Sequence, residues 1–117
     1  VAHAMHAQKP AEFTVAPVGA MKKVLAKANW TTADVDLFEI NEAFAMVTML
    51  GMKALDLDVN KVNVNGGACA LGHPLGASGA RIMVTLIHAL KNRGLSKGLA
   101  SLCIGGGEAT AIAVEMM

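Results

Sequence analysis

Residues 66–81 read GGACALGHPLGASGAR, and no other stretch is as informative about the fold. The glycines allow positive φ angles and a close approach of the backbone, which suits a loop that forms a site. The residues before it, 62–64, predict a short strand, and the apolar spacing after it predicts a helix over 78–92 that Gly94 closes. The sequence therefore predicts a strand, a glycine-rich loop that carries His73, and a helix.

The remaining segments predict four strands and two helices around this loop. The strands cover residues 1–6, 35–40, 99–104 and 110–115, and the helices begin at Pro17 and Glu42. Pro17 suits the first turn of a helix, because its ring fixes φ and its missing N–H is not needed there. The helix over 42–56 is apolar nearly all round, which predicts that it is buried. Strands that alternate with helices and end in a hairpin are typical of a layered α/β domain with a mixed sheet.

Composition excludes several classes of protein. The 117 residues are 54% hydrophobic and 16% charged, against about 25% charged in a typical soluble domain. Disorder is excluded because so apolar a chain can bury enough surface to fold. We expect no membrane span, because charged residues or His interrupt each apolar stretch before about 18 residues. With a net charge of +1, three Phe and one Trp, the sequence also predicts no nucleic-acid partner.

Length and cysteine usage predict the setting of the domain. The length suits one domain, and Cys69 and Cys103 form neither a close pair nor a secreted framework, which favours a reducing compartment. Residues 1–6 lack the pattern of a targeting segment, so we expect a cytoplasmic protein. They also lack an initiator Met, and we expect the chain to be part of a longer one. Its low charge predicts that a partner domain or subunit covers one face.

Three polar clusters follow the ends of predicted strands. Asn41 and Glu42 follow one strand, His73 lies in the glycine-rich loop, and Cys103 precedes three glycines. Sites in open α/β sheets gather at strand ends, so a single site is geometrically reasonable. Imidazole is the usual proton carrier near neutral pH. From the residues alone, His73 is either such a carrier or a loop side chain that binds the backbone.

The other candidates also allow two interpretations each. The Cys103 thiol can act as an acid or base if its pKa is lowered, with the amides of 105–107 binding an oxyanion; otherwise it is a buried, inert thiol. Asn41 can hold a water or a carbonyl, or cap a helix. Cys69 lies between two alanines and is interpreted as structural. We expect no metal, because Cys69 and His73 have no second pair of ligands to complete a zinc site.

Three motifs together resemble a known family. They are NEAFA at 41–45, NGGACALGHPLGASG at 65–79 and CIGGG at 103–107. In order and spacing they resemble the three C-terminal signatures of thiolases, the acetyl-CoA acetyltransferase and 3-ketoacyl-CoA thiolase family. The resemblance covers essentially the whole chain. It implies that residues 1–117 form a single thiolase-like C-terminal domain, an α/β fold with a mixed five-stranded sheet and helices on both faces.

The resemblance also implies roles for four residues. His73 would activate a nucleophilic Cys and help to bind the thioester oxygen, and Asn41 would hold a water in the same oxyanion hole. Cys103 would be the general acid/base for the α-proton of the second acyl-CoA. The backbone N–H of Gly105 would contribute to a second oxyanion hole. Coenzyme A thioesters would be substrates in fatty acid metabolism, with no separate cofactor.

The resemblance further implies partners and a limit. A similar N-terminal thiolase domain would pack on this one, with a helix layer between the two sheets, and the whole enzyme would be a homo-oligomer. The acylated Cys of thiolases lies in that N-terminal half, so we expect this chain alone to be inactive. One alternative is a non-catalytic binding or assembly module. Another is a ketoacyl synthase-like enzyme, disfavoured because Asn41 stands where that family has His and Cys103 would have no counterpart.

Overall fold

The computed structural model describes all of residues 1–117. Its strands and α-helices are, in chain order, β1 (Ala2–Ala7), α1 (Ala16–Ala28), β2 (Leu37–Ile40), α2 (Ala45–Leu55), α3 (Ala68–Leu71), α4 (Ser78–Arg93), β3 (Lys97–Ile104) and β4 (Glu108–Glu115). Single 3-10 turns lie at Pro10–Glu12, Thr32–Asp34 and Val59–Lys61. The predicted α/β class is therefore confirmed.

The strands form one mixed sheet in the order β1-β4-β3-β2. The two hairpin strands β3 and β4 are antiparallel, and β1 adds to the outer side of β4, also antiparallel. On the other side, β2 runs parallel to β3, with Ile40 opposite Ser101. Because β2 and β3 are parallel, the residues that follow them, Asn41 and the glycine turn, lie at the same edge of the sheet.

The sheet has four strands, so the prediction of five strands is wrong by one. Residues 62–64 make a single parallel bridge, from Val62 to Phe38. The next residue, Asn63, has a left-handed φ of 48°, which turns the chain away from the strand direction. Its side chain replaces the missing ladder: Oδ1 accepts from the Ile40 N–H at 2.8 Å, and Nδ2 donates to the Ile40 carbonyl at 2.9 Å. A side-chain amide thus pairs with β2 where a fifth strand was expected.

Helices cover both faces of the sheet, as the resemblance implied. On one face α1 packs over β1, β4 and β3, and its Met21 and Val24 are fully buried. Alternate alanines of β4, which are buried on that face, allow the close approach of the helix: Ala109, Ala111 and Ala113. On the other face α4 packs over β2 and β3. Its buried apolar side chains are Ile82, Leu86, Ala89 and Leu90.

The start of α1 and the end of α4 follow the predicted signals, and the end of α1 has a residue of the same kind. Pro17 lies in the first turn of α1, and Asn29 ends that helix in the left-handed conformation. Gly94 ends α4 in the same conformation, with φ 64°. These residues are typical of helix starts and stops, since proline lacks an N–H and glycine and asparagine tolerate positive φ.

The prediction for α2 is wrong in two respects. The helix begins at Ala45 with Phe44 as its N-cap residue, so Asn41 does not cap it. It buries one side, Val47, Thr48 and Gly51, whereas Met46 and Met49 are 52% and 63% exposed. The outer side has no neighbour within this chain, and apolar composition alone does not reveal that.

None of the helices combines the length and apolar character that a membrane crossing needs.

Gly107 offers a test of the hairpin geometry. Its φ is 95°, and a Cβ there would collide with the backbone carbonyl oxygen of Gln8. We expect Gly107→Ala to lower the free energy of unfolding by about 1–3 kcal/mol, the usual magnitude of local backbone strain. Chemical denaturation measures this. The matched control is Gly76→Ala, where an added Cβ meets open space. Equal losses of unfolding free energy in both variants would contradict the collision inferred at Gly107.

Candidate active site

The end of β2 and the loop before α4 bring two predicted residues together. Asn41 directly follows β2, where its N–H donates to the Ser101 carbonyl of β3 at 2.9 Å. Its side chain is 1% exposed, and Nδ2 lies 3.4 Å from His73 Nε2. The Asn41 Oδ1 atom is buried and has no hydrogen-bond partner within the chain. The fold thus joins an amide and an imidazole from distant parts of the sequence.

Ser78 contacts the His73 ring at Nδ1. The Ser78 oxygen lies 2.6 Å from His73 Nδ1 and 3.1 Å from the Pro74 carbonyl oxygen. When the hydroxyl donates its one proton to Pro74, Nδ1 donates to the Ser78 oxygen. In that tautomer Nε2 is the acceptor that faces the Asn41 amide N–H.

A cleft of about 410 Å³ contains three of the four predicted residues. Its walls are formed by aromatic and aliphatic side chains around the polar groups: Phe13, Ala43, Phe44, His73, Leu75, Leu102, Cys103, Ile104 and Gly105. Asn41 lies behind His73 and contacts it. Phe13 and Phe44 pack edge to face, with ring centroids 6.1 Å apart. The structure therefore places His73, Cys103 and Gly105 around one apolar cleft, and Asn41 contacts His73 from outside that cleft.

Cys103 and the turn after it provide an acid and a free donor. Cys103 is half-buried near the end of β3, and this burial raises the pKa of its thiol. A lowered pKa is the condition for the acid/base interpretation from the residues alone; in this chain the pKa is raised instead, and the thiol is protonated at neutral pH. In the turn, the N–H groups of Gly106 and Gly107 both donate to Ile104. The N–H of Gly105 donates to no group of the chain.

Glu42 orients the glycine-rich loop. Its carboxylate accepts from the Cys69 N–H at 2.9 Å and from Asn63 Nδ2 at 3.3 Å. Burial acts to raise the pKa of Glu42, but these hydrogen bonds outweigh it and hold the pKa below its ordinary value. A Cβ on Gly67 would collide with the Glu42 carboxylate. Glycine at position 67 therefore lets Glu42 hold the start of α3 and, through it, the loop to His73.

Cys69 lies apart from the cleft. It is exposed, so the expectation that it packs between small apolar residues is wrong. A hydrogen bond with Glu42 raises the pKa of its thiol. Cys69 is exposed because the short helix α3 turns this side of the loop toward solvent. No group of three or more His, Cys, Asp or Glu side chains is arranged to hold a metal ion.

Sequence reasoning missed two residues that shape the site. Ser78 is 1% exposed and contacts His73 Nδ1, yet in the sequence it resembles an ordinary first residue of a helix. Asn63 supports the end of β2. Its signal was present, since Asn is depleted in strands and prefers turns and positive φ.

Comparison with known proteins shows the relationships of the chain. A family model described as the C-terminal domain of thiolase matches residues 1–116. The acetyl-CoA acetyltransferase of Allochromatium vinosum is 53% identical over 117 residues, which are 100% of this chain and 30% of that protein. The cytosolic acetyl-CoA acetyltransferase of Mus musculus is 55% identical over 107 residues, 92% of this chain and 27% of that protein.

Comparison with solved structures gives the same relationship. The acetyl-CoA acetyltransferase of Bacillus anthracis superposes with a TM-score of 0.98 at 50% identity, over 100% of this chain and 30% of that one. The Acat5 thiolase of Ascaris suum, in complex with coenzyme A, superposes with a TM-score of 0.95 at 49% identity, with the same coverage.

These matches define the class as an α/β domain of the thiolase type. The chain belongs to the thiolase family and corresponds to its C-terminal domain. It spans 27–30% of the length of the curated relatives described above.

The role of Ser78 can be tested by nitrogen NMR of the His73 ring. We expect the proton on Nδ1 in the parent chain and a mixture of tautomers in Ser78→Ala, because the acceptor for Nδ1–H is removed. The control is Ser101→Ala, which removes another buried hydroxyl that donates to the Thr110 carbonyl. Each variant should lose about 1–3 kcal/mol of stability, but only the first should change the tautomer. A parent ring protonated on Nε2 would contradict the assignment.

Proposed function

We propose that this chain is the C-terminal catalytic half of a thiolase, an acyltransferase. The reaction transfers an acyl group between coenzyme A thioesters, by Claisen condensation or by thiolytic cleavage of a 3-ketoacyl-CoA. One observation carries the proposal: the Asn41–His73 pair, the Cys103 thiol and the free Gly105 N–H converge on one apolar cleft. The names of the relatives support the same reaction class.

His73 and Asn41 stabilise the thioester oxygen in this proposal. With the ring proton on Nδ1, the Nε2 lone pair faces the Asn41 amide at a long 3.4 Å, and it exchanges that contact for the proton of the nucleophilic thiol. Once protonated, Nε2 becomes a donor to the developing oxyanion. The unpartnered Oδ1 of Asn41 can accept a hydrogen bond from a water that completes the same oxyanion hole. Donors aimed at developing charge are among the largest contributions to catalysis.

In this proposal Cys103 gives a proton to the leaving coenzyme A and takes one from the second substrate. Its raised pKa keeps the thiol protonated, so that it carries a proton for the departing coenzyme A thiolate after the first acyl group has moved to the nucleophilic Cys. The Cys103 thiolate left behind then takes the α-proton of the second acyl-CoA. The resulting enolate attacks the acylated Cys, and the Gly105 N–H stabilises the oxyanion that forms there. The nucleophile is expelled as a thiolate when that intermediate collapses.

An uncovered apolar face supports an N-terminal partner domain. Helix α4 covers β2 and β3, but the same face of β1 and β4 has no helix over it. Met5 is 63% exposed there and Ile112 37%, and Val84 on the outer side of α4 is 57% exposed. An apolar groove of about 220 Å³ runs between α4 and β4. A second domain that covers this face would supply the nucleophilic Cys.

The wider setting follows from the relatives. The Ascaris suum structure contains coenzyme A, which supports acyl-CoA thioesters as the substrates here, with no separate cofactor. The mouse relative is named as cytosolic, and we propose the same compartment for this protein. The whole enzyme is proposed to be a homo-oligomer, as thiolases generally are.

Replacing the Cys103 thiol tests the catalytic role. The assay uses a full-length chain that joins these residues to the N-terminal part of a thiolase. We expect Cys103→Ser to lower kcat by about 100-fold to 10,000-fold, the usual contribution of a general acid/base, while the melting temperature stays close to the parent value. Cys69→Ser, which changes an exposed thiol outside the cleft, is the control and should retain activity. Parent-like activity of Cys103→Ser would contradict the acid/base role of Cys103, whereas an inactive parent chain would favour a non-catalytic binding module.

The 117 residues alone should not turn over acyl-CoA. Neither Cys69 nor Cys103 lies in the motif of the acylated nucleophile, so we expect no stable acyl-enzyme. Mass spectrometry after incubation with acetyl-CoA measures this, together with trapping of released coenzyme A. The joined full-length chain is the positive control. An acetyl group found on either thiol, with continuing release of coenzyme A, would overturn the need for an N-terminal half.

A further inference from the structure

The one ion pair of the chain is buried behind the site. Glu39 lies in β2 with 2% of its side chain exposed, and its Oε2 is 3.3 Å from Nη1 of Arg81 in α4. The Arg81 Nη1 group also lies 3.5 Å from the Thr85 hydroxyl. Three other polar atoms of the pair are buried without a partner: Glu39 Oε1, Arg81 Nε and Arg81 Nη2.

This pair is not arranged for stability. Burial raises the pKa of Glu39 to about 7, although the neighbouring Arg81 acts to lower it. A buried ion pair recovers the cost of desolvation only when its geometry is good and its remaining donors and acceptors are satisfied. Here one contact is made and three atoms are left over. Apolar side chains of similar size would therefore leave the fold at least as stable, so the pair needs another explanation.

Its position provides one. Glu39 precedes Asn41 by two residues, so both side chains lie on the same face of the extended chain. Arg81 follows Ser78 by three residues, so both lie on the same side of α4. The ion pair thus connects β2 to α4 one helical turn beyond the contact between Asn41 and His73. The other contacts between these elements are apolar, such as those of Leu37 in the α4 cluster, and apolar contacts have no directional preference.

We propose that Glu39 and Arg81 are positioning residues that fix the register of α4 on β2 and thereby set the contact between Asn41 and His73. A hydrogen-bonded charge pair has a defined length and direction, whereas the apolar contacts around it are not directional. Sliding of α4 would carry Ser78, and with it the His73 ring, away from Asn41. The kinetic consequence rests on the proposed function; the geometric one does not.

The main test is the double variant Glu39→Leu/Arg81→Met in the joined full-length chain. We expect its melting temperature to equal or exceed that of the parent, because two unsatisfied charges are replaced by apolar groups. We expect kcat to fall by about tenfold to 100-fold, since misplacement of a reacting group by about 1 Å has effects of that order. KM should stay within about twofold, because neither side chain lines the cleft.

Three single variants sharpen the test. Arg81→Lys keeps the charge, and its kcat should lie between those of the parent and of Arg81→Met. Arg93→Met removes a cation from the exposed last turn of the same helix and should leave kcat unchanged. A purely structural role predicts that activity follows melting temperature across the series. That correlation, or parent-like kcat in the double variant, would overturn the proposal.

A second measurement is independent of activity. The Nε2 nitrogen of His73 reports its hydrogen bond with Asn41 through its NMR chemical shift. We expect that signal to move in the double variant and to stay unchanged in Arg93→Met. If the parent full-length chain is inactive, the proposed function fails, and the NMR result alone decides the positioning role. An unchanged His73 signal in the folded double variant would overturn it.

Discussion

The pairing between the Asn63 side-chain amide and the Ile40 backbone is the constraint on which the site depends. Ile40 is the last residue of β2, and its N–H and carbonyl would have no strand partner on that side without Asn63. The pairing ends the sheet at a defined point and places Asn41 beside β3. It also places Glu42 where its carboxylate can receive the Cys69 N–H. The glycine-rich loop is therefore held from both ends, by Glu42 at its start and by Ser78 at the first turn of α4.

This arrangement explains how a small domain brings an amide, an imidazole and a thiol together from distant parts of the chain. The parallel pairing of β2 and β3 brings Asn41 and the end of β3 to one edge of the sheet. The loop before α4 then carries His73 to the same edge. What the domain lacks is a cover: the cleft is bounded by Phe13, Phe44 and Leu75 on one side, and the neighbouring face of β1 and β4 is open. Both features are consistent with a site that a second domain completes.

Several elements were predictable because their signals are local. Pro17, Asn29 and Gly94 mark helix ends through their own backbone preferences, and the triple glycine marks the hairpin. Other expectations failed where the outcome depends on contacts. The apolar composition of α2 does not reveal that Met46 and Met49 face outward, because burial depends on which elements lie nearby. The predicted fifth strand is reduced to one bridge because Asn63 adopts a positive φ that its side chain stabilises through Ile40.

The same division holds for the site. By itself the sequence determined the chemical groups and their order along the chain: an amide at 41, an imidazole at 73 and a thiol at 103, each after a predicted strand or in a glycine loop. Only the tertiary structure decided that Asn41 contacts His73, that Ser78 contacts Nδ1 of the same ring, and that Glu39 and Arg81 meet behind them. The reason is physical. Local preferences are set by each residue and its neighbours, whereas distances between β2 and α4 are set by packing across the sheet.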